Sequence, residues 1–268
     1  MTLREAERKL ADAGITNARE EARRLFCQVG GVPQYELTSP ASECESDELI
    51  RAIERRAERI PLEYITGRAD FYRESYKVSE AVLIPRSDTE ILVDFGVKHL
   101  PYGAHFLDLC TGSGCVALSI LNNTDGTTAT AVDISEAALG VARENAEALS
   151  LTKRIEFIAT DALTLPPKDC YAVFSNPPYV SDKAYKELEA EIFREPKIAF
   201  LGGEDGADFY RVITPVYKNK IAKEGFIAYE IGYDQGEILR EIAEKNGMSC
   251  EILQDLGGRD RVAVLRRI

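Results

Sequence analysis

Between residues 104 and 180 one pattern recurs: "AHFLDLC", "GCVALSILNN", "ATAVDIS", "EAALGVARENAEAL", "RIEFIAT", "YAVFSN". Short apolar runs rich in β-branched and aromatic residues alternate with longer runs of helical period. Such an alternation predicts a doubly wound, mostly parallel sheet, whose ligands bind in the crevice at the carboxyl ends of the strands. Beyond a polar segment of residues 181–207 follow a helix, the strand "EGFIAYEIG", and a helix to about Asn246. Two closing runs, "MSCEILQDL" and "DRVAVLRRI", are expected to pair as an antiparallel hairpin on the sheet edge.

The front of the chain has a different texture. Leu3, Ala6 and Leu10 lie at helical spacing before Gly14, and "NARE" offers Asn17 as an N-cap with Glu20 three residues on. Ala18, Ala22, Leu25, Phe26 and Val29 then form one apolar face. A third helix from about Ser46 is expected to bury Leu49, Ile50, Ile53 and Ile60 and to leave "ERRAER" in solvent. From Pro61, "YITGRADFYRESYKVSEAVLIP" mixes glycine with alternating aromatic and β-branched residues, as a linking hairpin would. The expected domains are a helical bundle over 1–62, a β-hairpin linker over 63–84 and the α/β domain over 85–268.

Composition excludes several classes. A net charge of −12 disfavours a nucleic-acid substrate, whose phosphates are bound by neutralising them, and admits a protein partner. No apolar run approaches the ~20 residues of a membrane span. The start "MTLREAERKL" lacks the apolar core of a signal peptide. The six cysteines form no CxxC pair and have no histidine at metal-ligand spacing, so neither disulfide nor zinc is expected and a cytoplasmic location is. His99 and His105 have no partner in sequence and read as linker histidines, Cys115 as a small buried hydrophobe.

The chemistry is expected at two turns. In "FLDLCTGSGCVA" a strand ends in a glycine turn that opens a helix, and Gly112 and Gly114 allow close approach of a ligand. Asp133 ends the next strand, 21 residues after Gly112, where a carboxylate can accept both ribose hydroxyls of an adenosine. Asp108 precedes the turn. A carboxylate there repels a pyrophosphate and welcomes a cation, which favours S-adenosylmethionine over a dinucleotide. Asp161, after the third strand, can accept from the adenine amino group or cap a helix.

The second turn is "SNPPYV", after the fourth strand. Two prolines stiffen the corner. Asn176 offers a side-chain oxygen, Pro177 a carbonyl and Tyr179 an aromatic face, which together suit a planar N–H₂ held by both hydrogens. Such a nitrogen is a poor nucleophile, and fixing both hydrogens aims its lone pair at a methyl donor.

"NPPY" after "DLCTGSG" resembles class I methyltransferases that act on planar amino groups. The further segments "EYITGRADFY", "VLIPRSDTEILVD", "EPKIAFLGGEDGADFYR", "YEIGYDQG" and "DLGGRDRVAVLRR" resemble the peptide chain release factor glutamine methyltransferases, the HemK or PrmC family, over nearly the whole chain. The resemblance implies a Rossmann-like sheet with a helical N-terminal domain, and a monomer is expected. It implies N5-methylation of the glutamine in the Gly-Gly-Gln loop of class 1 release factors. The alternatives are a ribosomal-protein glutamine and, less favoured by the charge, adenine N6 of a nucleic acid. Asn176, Pro177, Pro178, Tyr179 and Arg86 would hold the substrate amide. Asp108, the loop Cys110, Thr111, Gly112, Ser113 and Gly114, then Asp133 with Ile134, Asp161 with Ala162, and Asn176 would line the cofactor site. Ser87, Asp88, Cys110 and Glu63 depart from the family pattern.

Overall fold

The computed structural model describes residues 1–39, 41–188 and 191–268. The chain forms two compact units: Met1–Arg68 with the described residues 191–194, and Ala69–Leu188 with Glu195–Ile268.

The first unit packs α1 (Leu3–Asp12), α2 (Ala18–Gln28), α3 (Asp47–Ala57) and the short α4 (Leu62–Thr66) around Leu10, Leu25, Phe26, Leu49 and Ile53. The expected cap at Asn17 does not form, because its backbone (φ −100°, ψ 36°) lies outside the extended region a capping residue needs. The capping box belongs instead to "TLRE": Glu5 N–H donates to Thr2 Oγ1 at 3.2 Å and Thr2 N–H to Glu5 Oε2 at 2.8 Å. Ser46 does cap α3. Ile50 and Ile60 are only half-buried.

The expectation of a fully solvated "ERRAER" fails at Arg56. Three residues on from Ile53, it lies on the same inward face of α3 and is buried. Its guanidinium binds Glu21 through Nε and Nη2, Glu191 through Nη2 at 3.1 Å, and the Ile60 carbonyl through Nη1 at 3.2 Å.

The stretch expected as a linking hairpin begins with α4 and becomes the two-stranded β1 (Arg68–Phe71) and β2 (Glu74–Lys77) only after Gly67, whose φ of 72° ends the helix. The second unit continues with α5 (Glu90–His99), β3 (His105–Leu109), α6 (Cys115–Asn122), β4 (Thr128–Asp133), α7 (Glu136–Ala148), β5 (Ile155–Ala159), β6 (Cys170–Ser175), α8 (Asp182–Tyr185), α9 (Asp208–Tyr217), β7 (Ile221–Glu230), α10 (Gly236–Lys245), β8 (Met248–Gln254) and β9 (Asp260–Arg267). The seven strands run β5-β4-β3-β6-β7-β9-β8. Pairings from β5 to β7 are parallel; β9 is antiparallel to both β7 and β8, so the closing runs form the expected edge hairpin.

Alternate strand residues feed two cores. Phe106, Ala131, Ala172 and Phe174 pack with α5 and α6, while Leu107, Leu109, Val173 and Tyr229 pack with α9 and α10. The chain travels outward from β3 to β5 and returns across β3 to β6. The strand order reverses there, and the β3 and β6 carboxyl ends flank a crevice.

Candidate active site

A cavity of about 270 Å³ opens at that switch point. Asp108, Cys110, Thr111, Gly112, Ser113, Asp133, Ile134, Asp161 and Ala162 line it, as do Arg86, Asn176 and Pro178. Sequence-separated turns after β3, β4, β5 and β6 thus converge. Gly114, Pro177 and Tyr179 are not on its wall: Gly114 caps α6 at φ 79° and packs on Leu118 and Ala142.

The glycine turn is held from three sides. Gly112 N–H donates to Asp133 Oδ2 at 2.8 Å, Thr111 N–H to the Val132 carbonyl at 3.0 Å, and the buried Asn145 on α7 donates to the Ser113 carbonyl at 2.9 Å. Gly112 adopts φ +55°, and a Cβ built there meets nothing within 4 Å, so its backbone is open to a ligand. Cys110 adopts φ +61°, a region that costs a side-chain-bearing residue about 1–2 kcal/mol. Glycine would relieve that strain.

Asp108 is 1% exposed. Its Oδ2 accepts from the Thr111 hydroxyl at 2.6 Å and Ala117 N–H at 3.3 Å, yet burial still pushes its carboxyl up to about 7. Burial raises Asp133 as well, against donors from Ser135 and Gly112. Asp161 closes a turn through Leu163 N–H at 2.9 Å, and a turn rather than a helix follows it. Burial pushes the Cys115 thiol up to about 12, and Cys110 also upward, so neither is a ready nucleophile. Arg86 is ion-paired with the buried Glu195, which also accepts from Ile84 N–H at 2.9 Å.

The Asn-Pro-Pro-Tyr corner is clamped from behind. Ser175 donates to the Leu109 carbonyl at 2.7 Å, tying the ends of β6 and β3. Asn176 Nδ2 donates to Thr89 Oγ1 at 3.3 Å, and the Tyr179 hydroxyl to Glu230 Oε1 at 3.1 Å. Gln235 donates to the carbonyls of Tyr179 (3.0 Å) and Gly206 (3.2 Å), laying the "LGGEDG" loop on the corner.

Sequence reasoning missed the apolar wall: Val82, Leu83, Pro85, Ile198 and Phe209. Ile198, 58% exposed in a polar segment, is the kind of residue that could have signalled it. Thr89 and Glu230 sit in segments that resemble the family, but nothing in the sequence places them beside Asn176.

This assembly offers carboxylates to a cation and to paired hydroxyls, and a stiff acceptor corner beside them. Comparison with known proteins finds relatives over most of the chain. Residues 2–67 match the PrmC N-terminal domain and residues 88–203 the Methyltransferase small domain. Among solved structures, ribosomal protein L11 methylase from Lactobacillus delbrueckii subsp. bulgaricus shares the fold, with TM-score 0.51 and 18% identity over 68% of this chain and 80% of that one. A release factor glutamine methyltransferase of Moorella thermoacetica is 37% identical over 97% of this chain and 97% of its own length. One of Caulobacter vibrioides is 35% identical over 97% and 93%. With relatives this similar over 97% of its length, the chain belongs to the release factor glutamine methyltransferase family.

Proposed function

We propose that this chain methylates the side-chain amide nitrogen of the glutamine in the Gly-Gly-Gln loop of class 1 peptide chain release factors, with S-adenosylmethionine as donor. The observation that carries it is the meeting, in one cavity, of the Asp108–Asp133 loop with Asn176 and Pro178. The family's relatives, named for the same activity, support the substrate.

The residues fit S-adenosylmethionine. Asp108 is a buried carboxylate with room for a cationic amine. Each oxygen of Asp133 takes one backbone N–H and keeps a lone pair for a ribose hydroxyl. Ser113 Oγ is buried with no hydrogen-bond partner among the described residues. Leu163 and Ile134 supply an apolar wall for a purine. When bound, the cofactor supplies an electrophilic methyl on a sulfonium that leaves as a neutral thioether.

The chain's own groups do the rest. Asn176 Oδ1 accepts one amide hydrogen and the Pro177 carbonyl, next along the corner though not on the cavity wall, the other, which fixes the nitrogen and turns its lone pair toward the methyl. The lone pair would form the new N–C bond with the methyl that a bound cofactor would supply, the thioether leaving with the C–S pair. The nitrogen becomes acidic as its lone pair is drawn into the new bond, and one N–H proton is lost to solvent through the acceptor that held it. No strong base is needed beforehand, because the nitrogen becomes acidic only as the bond forms.

The test is transfer of label from methyl-labelled S-adenosylmethionine to a release factor and to its loop Gln→Ala variant. Label on the wild-type factor alone supports the assignment; equal labelling of both overturns it.

A further inference from the structure

Asparagine is an ambiguous catalytic acceptor. Its amide can present either oxygen or nitrogen to a substrate, and the two faces are nearly the same size. An inverted Asn176 would aim donors at the substrate's own N–H hydrogens. Something must set the direction.

Behind Asn176 lies a relay. Thr89 is 2% exposed, and its Oγ1 stands 3.3 Å from Asn176 Nδ2. The same hydroxyl is among the groups that favour the ionised carboxylate of Glu230, which is also 2% exposed. Glu230 Oε1 takes the Tyr179 hydroxyl at 3.1 Å, whereas Oε2 has no hydrogen-bond partner among the described residues and is the acceptor left open to the Thr89 hydroxyl. Sheet register makes the arrangement possible: Ser175 pairs with Tyr229, so the next step along each strand brings Asn176 beside Glu230.

The logic is that of a single proton. A threonine hydroxyl has one hydrogen, and a buried carboxylate short of donors takes it. Only lone pairs then remain toward Asn176, so the asparagine must turn its N–H₂ to Thr89 and its oxygen away. Burial raises the Glu230 carboxyl, and Arg261, whose guanidinium bridges Asp88 at 3.0 Å and Asp255 at 3.2 Å, opposes that rise by favouring the ionised form. Asp88 and Tyr179 are the other groups that face it.

We propose that Thr89 and Glu230 are positioning residues that lock the amide of Asn176 with its oxygen toward the substrate nitrogen. The inference rests on Asn176 being the acceptor in the function proposed above. It also gives one carboxylate two tasks, because Glu230 sets the tilt of Tyr179 as well as the sense of Asn176.

The experiment compares Thr89→Val, which keeps the shape and removes the hydroxyl, with Thr89→Ser, which keeps the hydroxyl. The first readout is hydrogen exchange of the Asn176 side-chain N–H₂ in the full-length ¹⁵N-labelled protein, which needs no substrate. Exchange at least about tenfold faster in Thr89→Val than in wild type, with Thr89→Ser like wild type, supports the lock. Equal exchange in all three overturns it. The second readout is steady-state methylation of a release factor: kcat is expected to fall about 100-fold in Thr89→Val with KM little changed, and to recover in Thr89→Ser. A fall confined to KM, or the same fall in both variants, overturns the proposal. Absence of labelling by the wild-type enzyme would instead sink the proposed function, and the exchange measurement then decides the lock alone.

Discussion

Asp108 shows what a binding site costs a fold. Burial raises its carboxyl to about 7, above the ~3.9 of an unfolded chain, so the ligand-free protein is more stable with it protonated. That stability is fully present below the unfolded value and is lost as pH rises toward about 7. Asp108→Asn keeps an oxygen for Thr111 and Ala117 and discards the charge. We expect it to raise the melting temperature of the ligand-free protein at pH 7.5, by an amount that shrinks toward zero near pH 4, while calorimetry detects no cofactor binding. A melting temperature lowered at pH 7.5 would contradict this account. In the wild type, cofactor binding should weaken as pH falls below about 7, because the carboxylate must ionise to hold the cation. For Asn176→Ala we expect transfer to fall by about 100-fold or more with cofactor binding preserved; loss of both would make the residue structural. Asp108, Gly112, Asp133 and Asn176 were legible because each ends a strand-like run, and a doubly wound sheet gathers such ends at one edge. Arg56 was not, since its partner Glu191 lies 135 residues away.

The elements explain why the corner is stiff in one direction only. Prolines fix its φ angles, but its seat is the loop that follows, where Gly206 at φ +78° lies so close that a Cβ would stand 2.1 Å from the Tyr179 carbonyl. Gly206→Ala should push the corner away from Gln235 and Glu230. We expect a loss of about 1–3 kcal/mol of stability, read as a lowered thermal midpoint, together with a kcat deficit larger than any change in cofactor affinity. Normal turnover would show that the loop adapts. Helix α5 was not read from sequence because in "EILVDFGVKH" the buried Leu92, Val93, Phe95 and Gly96 and the exposed Asp94 between them make no clean amphipathic period. The relay through Thr89 was illegible for a related reason. In β7 the register slips between Ile221, opposite Cys170, and Phe226, opposite Ala172, and no count along the sequence predicts which carboxylate arrives beside Asn176.

At the scale of the molecule, the two textures of the sequence are real, but the boundary between them is not a single point along the chain. Residues 191–194 of the long segment after β6 belong with the N-terminal helices, where Glu191 meets both Arg56 and Arg59. Arg56→Ala strips the cation from two acidic partners, and we expect a cost of about 3–5 kcal/mol in the thermal unfolding of the full-length protein. Glu191→Gln should cost less, because Glu21 still grips the guanidinium through two nitrogens. The reverse order would show that the distant residue is the main anchor. This has a bearing on how such enzymes can be recombined. A crossover near residue 68 would part Arg56 from Glu191, so in a chimera the front end and residues 191–194 would have to be exchanged together.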